Sequence, residues 1–192
     1  MKTFFEFIKL MFNFIFVIFK ICFGWKKKAG EYENLTSEEL MELSDEALYE
    51  AATMRTMMKV INREDFGEDS EDIFYSLPEP QKVVYTIDCL EREVENGGLC
   101  QFFGNSSSIT APFVSEALAI IGAVKHQELF DNFIEKYRIN LYNLSMFDFG
   151  ATDDIEALYQ KYPFDDYDDK FNEQEALPEM LLSYIREHID DI

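Results

Sequence analysis

Glu93, Asn96, Gln101 and Asn105 crowd around the Gly97-Gly98 pair, with Phe102 among them. Amides and a carboxylate set this close to a glycine turn need specific hydrogen bonds if they are buried. Two arrangements fit. The four could form a polar pocket that grips a partner's backbone, or they could tie a helix end to the segment that follows it. The second is the expected one. Carboxylate pairs such as Glu91 with Glu95, or Glu93 with Asp154, have the types required for acid–base work. Residues 29–192 hold 37 acids, however, so chance pairs abound. His126 and His188 lie far apart, and no Cys or His pair has ligand spacing. Asp165-Asp166-Tyr167-Asp168-Asp169 lacks the central glycine and alternating spacing of a calcium loop. No nucleophile elbow, phosphate loop or dinucleotide fingerprint occurs. The expectation is a protein with no catalytic residue, no metal and no cofactor. An enzyme built on Glu93 is the weakest reading.

The element that must position these residues is a helix. Pro78 and Pro80 suit its first turn. Val83, Val84, Ile87, Leu90 and Val94 then mark one buried face. Asn96-Gly97-Gly98 reads as its stop, with Asn96 or Gly97 left-handed. Leu99, Phe102 and Phe103 resume as a short aromatic segment folding back.

These residues carry a family resemblance. Glu93-Val94-Glu95-Asn96-Gly97-Gly98, then Gln101-Phe102-Phe103 and Asn105, is similar to the signature of the DNA mimic protein nineteen-like domain, a bacterial family. Glu116-Ala117-Leu118 with Ile121-Gly122-Ala123 resembles the next helix. Asp168-Asp169-Lys170-Phe171 with Leu182-Ser183-Tyr184-Ile185-Arg186 resembles the C-terminal end. The resemblance covers residues 75–188. It implies a protein that is similar to duplex DNA in surface charge and occupies the DNA-binding face of a transcription factor. Fold does not fix function, so the charge is the next test.

The net charge is −21. Residues 1–28 hold six lysines against Glu6, a local +5, which leaves −26 on residues 29–192. Such a surface repels nucleic acid and anionic lipid and attracts basic proteins, DNA-binding proteins among them. Direct nucleic-acid binding by the domain is therefore not expected. Candidate contact positions are Asp153, Asp154, Asp165, Asp166, Asp168 and Asp169, with Glu68, Asp69, Glu71 and Asp72 as a second group. The alternative is that the acidity serves solubility alone.

Residues 3–25 read TFFEFIKLMFNFIFVIFKICFGW and precede Lys26-Lys27-Lys28. As a helix this stretch would be about 34 Å long, enough to span a bilayer core. Lys2, Glu6, Lys9, Asn13 and Lys20 fall on one helical stripe, so lying in the interface is a second reading, and a core helix a third. A membrane anchor is expected, with the domain on the cytoplasmic side of a bacterial inner membrane; without the anchor the chain would be cytoplasmic. Cys22, Cys89 and Cys100 form no disulfide pattern and fit a reducing compartment.

The remaining chain reads as helices. Thr36 and Glu39 form a capping box, and Ser44 caps a Met-rich helix running to about Asn62. Residues 63–72 read as a charged loop, and residues 29–35 as a linker. Thr110 caps a helix ending at Gly122, another spans His126 to Tyr137, and a third opens after Thr152 and stops before Pro163. The last has Pro178 in its first turn. No stretch alternates strictly. The expected fold is all-α: a compact domain of about seven helices behind an N-terminal hydrophobic helix. The expected divisions are 1–28 (anchor), 29–72 (acidic lead-in) and 73–192 (DNA-mimic-like domain). Three functions follow: a non-enzymatic acidic module binding a basic protein, a membrane-tethered immunity-type or structural protein neutralising a basic partner, or an enzyme. Nothing in the sequence sets the oligomeric state, a dimer included.

Overall fold

The computed structural model describes residues 27–147 and 155–192. These are helical, with no strand among them: α1 (residues 27–33), α2 (Ser37–Met41), α3 (Asp45–Asp65), α4 (Ser70–Ser76), α5 (Glu79–Gly104), α6 (Val114–Ile120), α7 (Val124–Tyr137), α8 (Ile155–Lys161), α9 (Phe164–Asn172) and α10 (Leu177–Glu187). Three 3-10 segments, Ser106–Phe113, Ser145–Phe147 and Ile189–Asp191, complete the set. The hydrophobic stretch 3–25 lies outside the described residues. Among the described residues no helix is long and apolar enough to cross a membrane.

α5 is the axis. It packs against α3, α6, α9, α10 and the 3-10 segment that follows it. Val83, Val84, Ile87, Leu90 and Val94 are buried along its first part, as their spacing requires. Beyond the glycines, Phe103 stands in a ring cluster, 5.0 Å from Phe147 and 6.5 Å from both Phe130 and Phe164. Stacked and edge-on rings of this kind add to the area they bury. The C-terminal end is fastened back onto the axis: Gln81 Nε2 donates to the Asp191 carbonyl at 2.6 Å, and Lys59 Nζ to that of Ile192 at 3.1 Å.

Local signals set many boundaries. Thr36 accepts from the Glu39 amide at 3.2 Å while Glu39 accepts from the Thr36 amide at 2.8 Å, a complete capping box. Ser44 accepts from the Ala47 amide and starts α3. Met54 is buried and Met57 and Met58 are half-buried, so the methionines of α3 face the core.

Several expected boundaries are corrected. The glycines do not end α5 but kink it, and Leu99–Gly104 continues as helix. The left-handed φ belongs to Gly98, not to Asn96 or Gly97. The acidic stretch 63–72 is mostly helical: α3 runs to Asp65, Asp69 caps α4, and only a short turn separates them. Most of the expected linker 29–35 is helical, as part of α1, which Lys28 and Tyr32 hold against Glu50 of α3. Thr110 caps nothing; it is buried within the 3-10 segment, its hydroxyl donating to the Ser107 carbonyl. Residues 164–172, given no element from sequence, are α9.

Candidate functional site

The residues around Gly97-Gly98 form a clasp. Glu93 Oε2 accepts from Gln101 Nε2 and from Asn105 Nδ2, each at 2.7 Å, and Glu93 Oε1 accepts from the Ser107 hydroxyl at 3.2 Å. One half-buried carboxylate thus joins the first part of α5, its second part and the next segment. Hydrogen bonds to an ionised acceptor are the strong ones. Close approaches surround both glycines, and at Gly98 a positive φ adds to the demand. A Cβ on Gly97 would lie 2.1 Å from Gln101 Oε1 and block that residue's reach to Glu93. A Cβ on Gly98 would lie 2.1 Å from Asp168 Oδ2. Asp168 enters this notch from α9 and accepts from the Leu99 amide at 2.9 Å. The kink strips helical partners from the first amides beyond it, and Asp168 supplies one. Asn96 is exposed, and Phe102 is buried in the core.

The acidic positions divide. Asp165, Asp166 and Asp169 are exposed on α9, whereas Asp168 turns inward to the kink. Burial pushes the Asp168 carboxyl up to about 6, against the lowering effect of the Leu99 amide. Asp153 and Asp154 lie outside the described residues. In the second group Glu68 pairs with Arg63 at 2.5 Å, and Asp69 is occupied capping the Glu71 and Asp72 amides. Glu71 and Asp72 remain exposed. α9 packs on α5 and α7, while α4 packs on α3 and the 3-10 segment 106–113. The two groups therefore ride on different parts of the core.

A second polar region was only half legible. Glu91 and Glu95, paired by spacing, share a cleft of about 150 Å³ with His126, Phe171 and Glu175. Glu91 accepts from the Tyr49 hydroxyl at 2.8 Å. Burial pushes its carboxyl up to about 7, with the Glu95 and Asp88 charges adding to the rise and the Tyr49 bond opposing it. His126 is buried, its ring centre 4.8 Å from that of Phe171 in an edge-on arrangement, and burial holds its pKa below the ordinary value. Nothing in the spacing linked His126 to Glu91; only the packing of α7 and the α9–α10 turn does. A carboxyl near 7 can take and give a proton at neutral pH. The thiols nearby are poor nucleophiles: burial pushes Cys89 up to about 12 and Cys100 to about 11. Asp88 meets Arg92 at 3.6 Å, an ion pair too long for a hydrogen bond.

Among the described residues no three His, Cys, Asp or Glu side chains converge to hold a metal ion. No curated protein and no solved structure matches the chain. A family model described as DMP19-like protein matches residues 75–188, from the end of α4 to the residue that follows α10. That span contains the Glu93 clasp, both glycines and the Asp168 contact that fills their notch. It also takes in more than half of the sequence, and the chain accordingly belongs to the DMP19-like protein family.

Proposed function

We propose that this chain is a non-enzymatic acidic module that binds a basic protein, occupying the cationic face with which that partner holds DNA. The observation that carries the reading is the way the carboxylates are mounted. Glu38, Glu39, Asp45, Glu46, Glu71, Asp72, Asp165 and Asp166 all sit in first turns of helices. There the helix dipole favours negative charge, so acids stand at positions fixed by the scaffold. Among the described residues 34 acids make five ion pairs, and most of the negative charge there is left uncompensated. DNA-binding proteins engage phosphates through lysine and arginine, and a rigid array of carboxylates competes for the same side chains. Membership of the DMP19-like family is consistent with this role.

The leading segment adds a location. Residues 3–25 are apolar and aromatic and precede three lysines, which favours a tether to the cytoplasmic face of a membrane. Tethered in this way the module would neutralise a basic partner at the lipid surface, as an immunity-type protein does. A competition assay tests the core reading. A DNA-binding protein from the same cell is bound to labelled duplex, and the full chain is titrated in at two ionic strengths. Release of the duplex that fails at high salt is the expected result; a duplex that stays bound at low salt, across the cell's abundant DNA-binding proteins, refutes it. Deleting residues 1–28 tests the tether, through loss of the chain from the membrane fraction.

A further inference from the structure

A groove of about 160 Å³ lies between α4, the 3-10 segment 106–113 and the turn that follows α7. Ile109, Pro112, Leu141 and Leu144 form its walls and are half-buried. Glu71 and Tyr142 also line it, and both are exposed. Tyr142 is 80% exposed, and the neighbouring Tyr75 is 47% exposed. Tyr75 lies one turn beyond Glu71 on the same face of α4. Burial pushes the Tyr75 hydroxyl up, and Glu71 and Tyr142 add to the rise, so the three side chains lie within electrostatic reach of one another. The turn pins Tyr142 outward: the Asn140 side chain accepts from the Tyr142 amide at 3.1 Å, and the Asn140 carbonyl from the Asn143 amide at 3.0 Å. Glu71 makes no ion pair among the described residues. Open aromatic rings, apolar walls and an unpaired carboxylate thus meet at one place on the surface.

We infer that this groove receives an arginine side chain of the basic partner, its guanidinium stacked on Tyr142 and bonded to the Glu71 carboxylate, its methylenes against the apolar wall. The inference rests on the protein-binding reading and names one contact within it. Size decides for a single side chain, because drug-sized ligands need roughly 300 Å³ or more. Charge decides for a cation: Glu71 is the one charged residue lining the groove, and Asp72 beside it is exposed. Shape decides for arginine over lysine. A planar guanidinium stacks on an aromatic face and bonds a carboxylate through two N–H groups at once, whereas an ammonium is a compact charge that holds its water more strongly. The stem of a long basic side chain covers apolar surface while its head stays at the rim. DNA-binding proteins aim such arginines at phosphates, and Glu71 stands in the phosphate's place.

Saturation-transfer NMR on the full chain tests this with acetyl-arginine amide as probe, and with acetyl-lysine, acetyl-citrulline and acetyl-leucine amides for comparison. The arginine probe binds at millimolar concentration, the lysine probe about threefold more weakly and the two neutral probes about tenfold more weakly. Tyr142→Ala weakens the arginine probe about two- to fivefold, and Glu71→Gln about threefold or more. Asp165→Asn on α9 leaves it unchanged, which separates the groove from the general field of the acids. All three side chains are exposed, so the variants keep the helical circular dichroism. Equal binding of the citrulline or leucine probe, no transfer to the arginine probe, or an undiminished signal in Tyr142→Ala or in Glu71→Gln overturns the assignment. The competition assay with bound duplex keeps the inference apart from the reading beneath it. The chain carrying both groove substitutions needs at least about threefold more protein to release the duplex. Release at the same concentration refutes the groove and leaves the reading standing, whereas no release by either chain refutes the reading and the docked arginine with it.

Discussion

Gly98 sits at φ 79°, ψ 177° with the Asp168 carboxylate lodged where a side chain would begin. That region of backbone space is almost confined to glycine. Gly98→Ala is therefore expected to cost about 2–3 kcal/mol, from backbone strain together with displacement of the Asp168 bond. Urea unfolding midpoints of the two proteins measure it. The raised carboxyls make a second prediction. Glu91 holds its proton to about pH 7 in the folded chain and releases it near 4.5 when unfolded. For Asp168 the corresponding values are about 6 and 3.8. Between those limits the folded state binds the extra proton, so stability falls as pH rises through the window and the penalty is complete above it. Thermal unfolding should accordingly show a more stable protein at pH 5 than at pH 8. Glu91→Gln should remove much of that slope and gain about 1 kcal/mol at pH 8, once solvent screening is allowed for. Added salt relieves the general repulsion among acids but leaves the Glu91 part in place, which separates the two contributions.

At the level of elements, α5 shows what the sequence could and could not convey. Its proline start and buried face were plain because both are local rules. The glycine pair looked like a terminus, since the residue that restarts the helix electrostatically, Asp168, is 69 positions away. α9 was missed for a related reason. Phe164, Tyr167 and Phe171 are its buried face, but the acid pairs between them and the preceding proline read as a break. The stretch 63–72 was hidden by composition: Asp69, Glu71 and Asp72 suit the start of α4, while the acids Glu64 and Asp65 at the end of α3 read as loop. In the site, the Glu93 group was legible by proximity, while the cleft that His126 shares with Glu91 rests on packing between distant helices. The second half of α5 also makes the sharpest core prediction. Phe103 is 2% exposed and touches rings from three other elements. Phe103→Ala should cost about 3–5 kcal/mol, read as a lowered denaturant midpoint with an unchanged slope.

For the molecule as a whole, charge governs encounters and the helical body governs shape. Asp165, Asp166 and Asp169 are exposed, so replacing all three with Asn should leave stability within about 0.5 kcal/mol. Association with a basic partner should slow several-fold, and the rate should lose part of its salt dependence, whereas dissociation should change little. Stopped-flow binding at two ionic strengths distinguishes these effects. Equal association rates for the two proteins would exclude α9 from the contact surface.

The wedge of Asp168 into the Gly98 notch has a consequence for the order of events at the ribosome. The chain emerges with its amino end first, so Gly98 and the amide it uncovers wait for a residue still to be made. Until α9 is synthesised and docks, the bend in α5 has no keystone, and Phe102 and Phe103 have no closed core to enter. Nascent chains halted before residue 164 should therefore remain open to proteolysis near the glycines, and those extended past residue 172 should close.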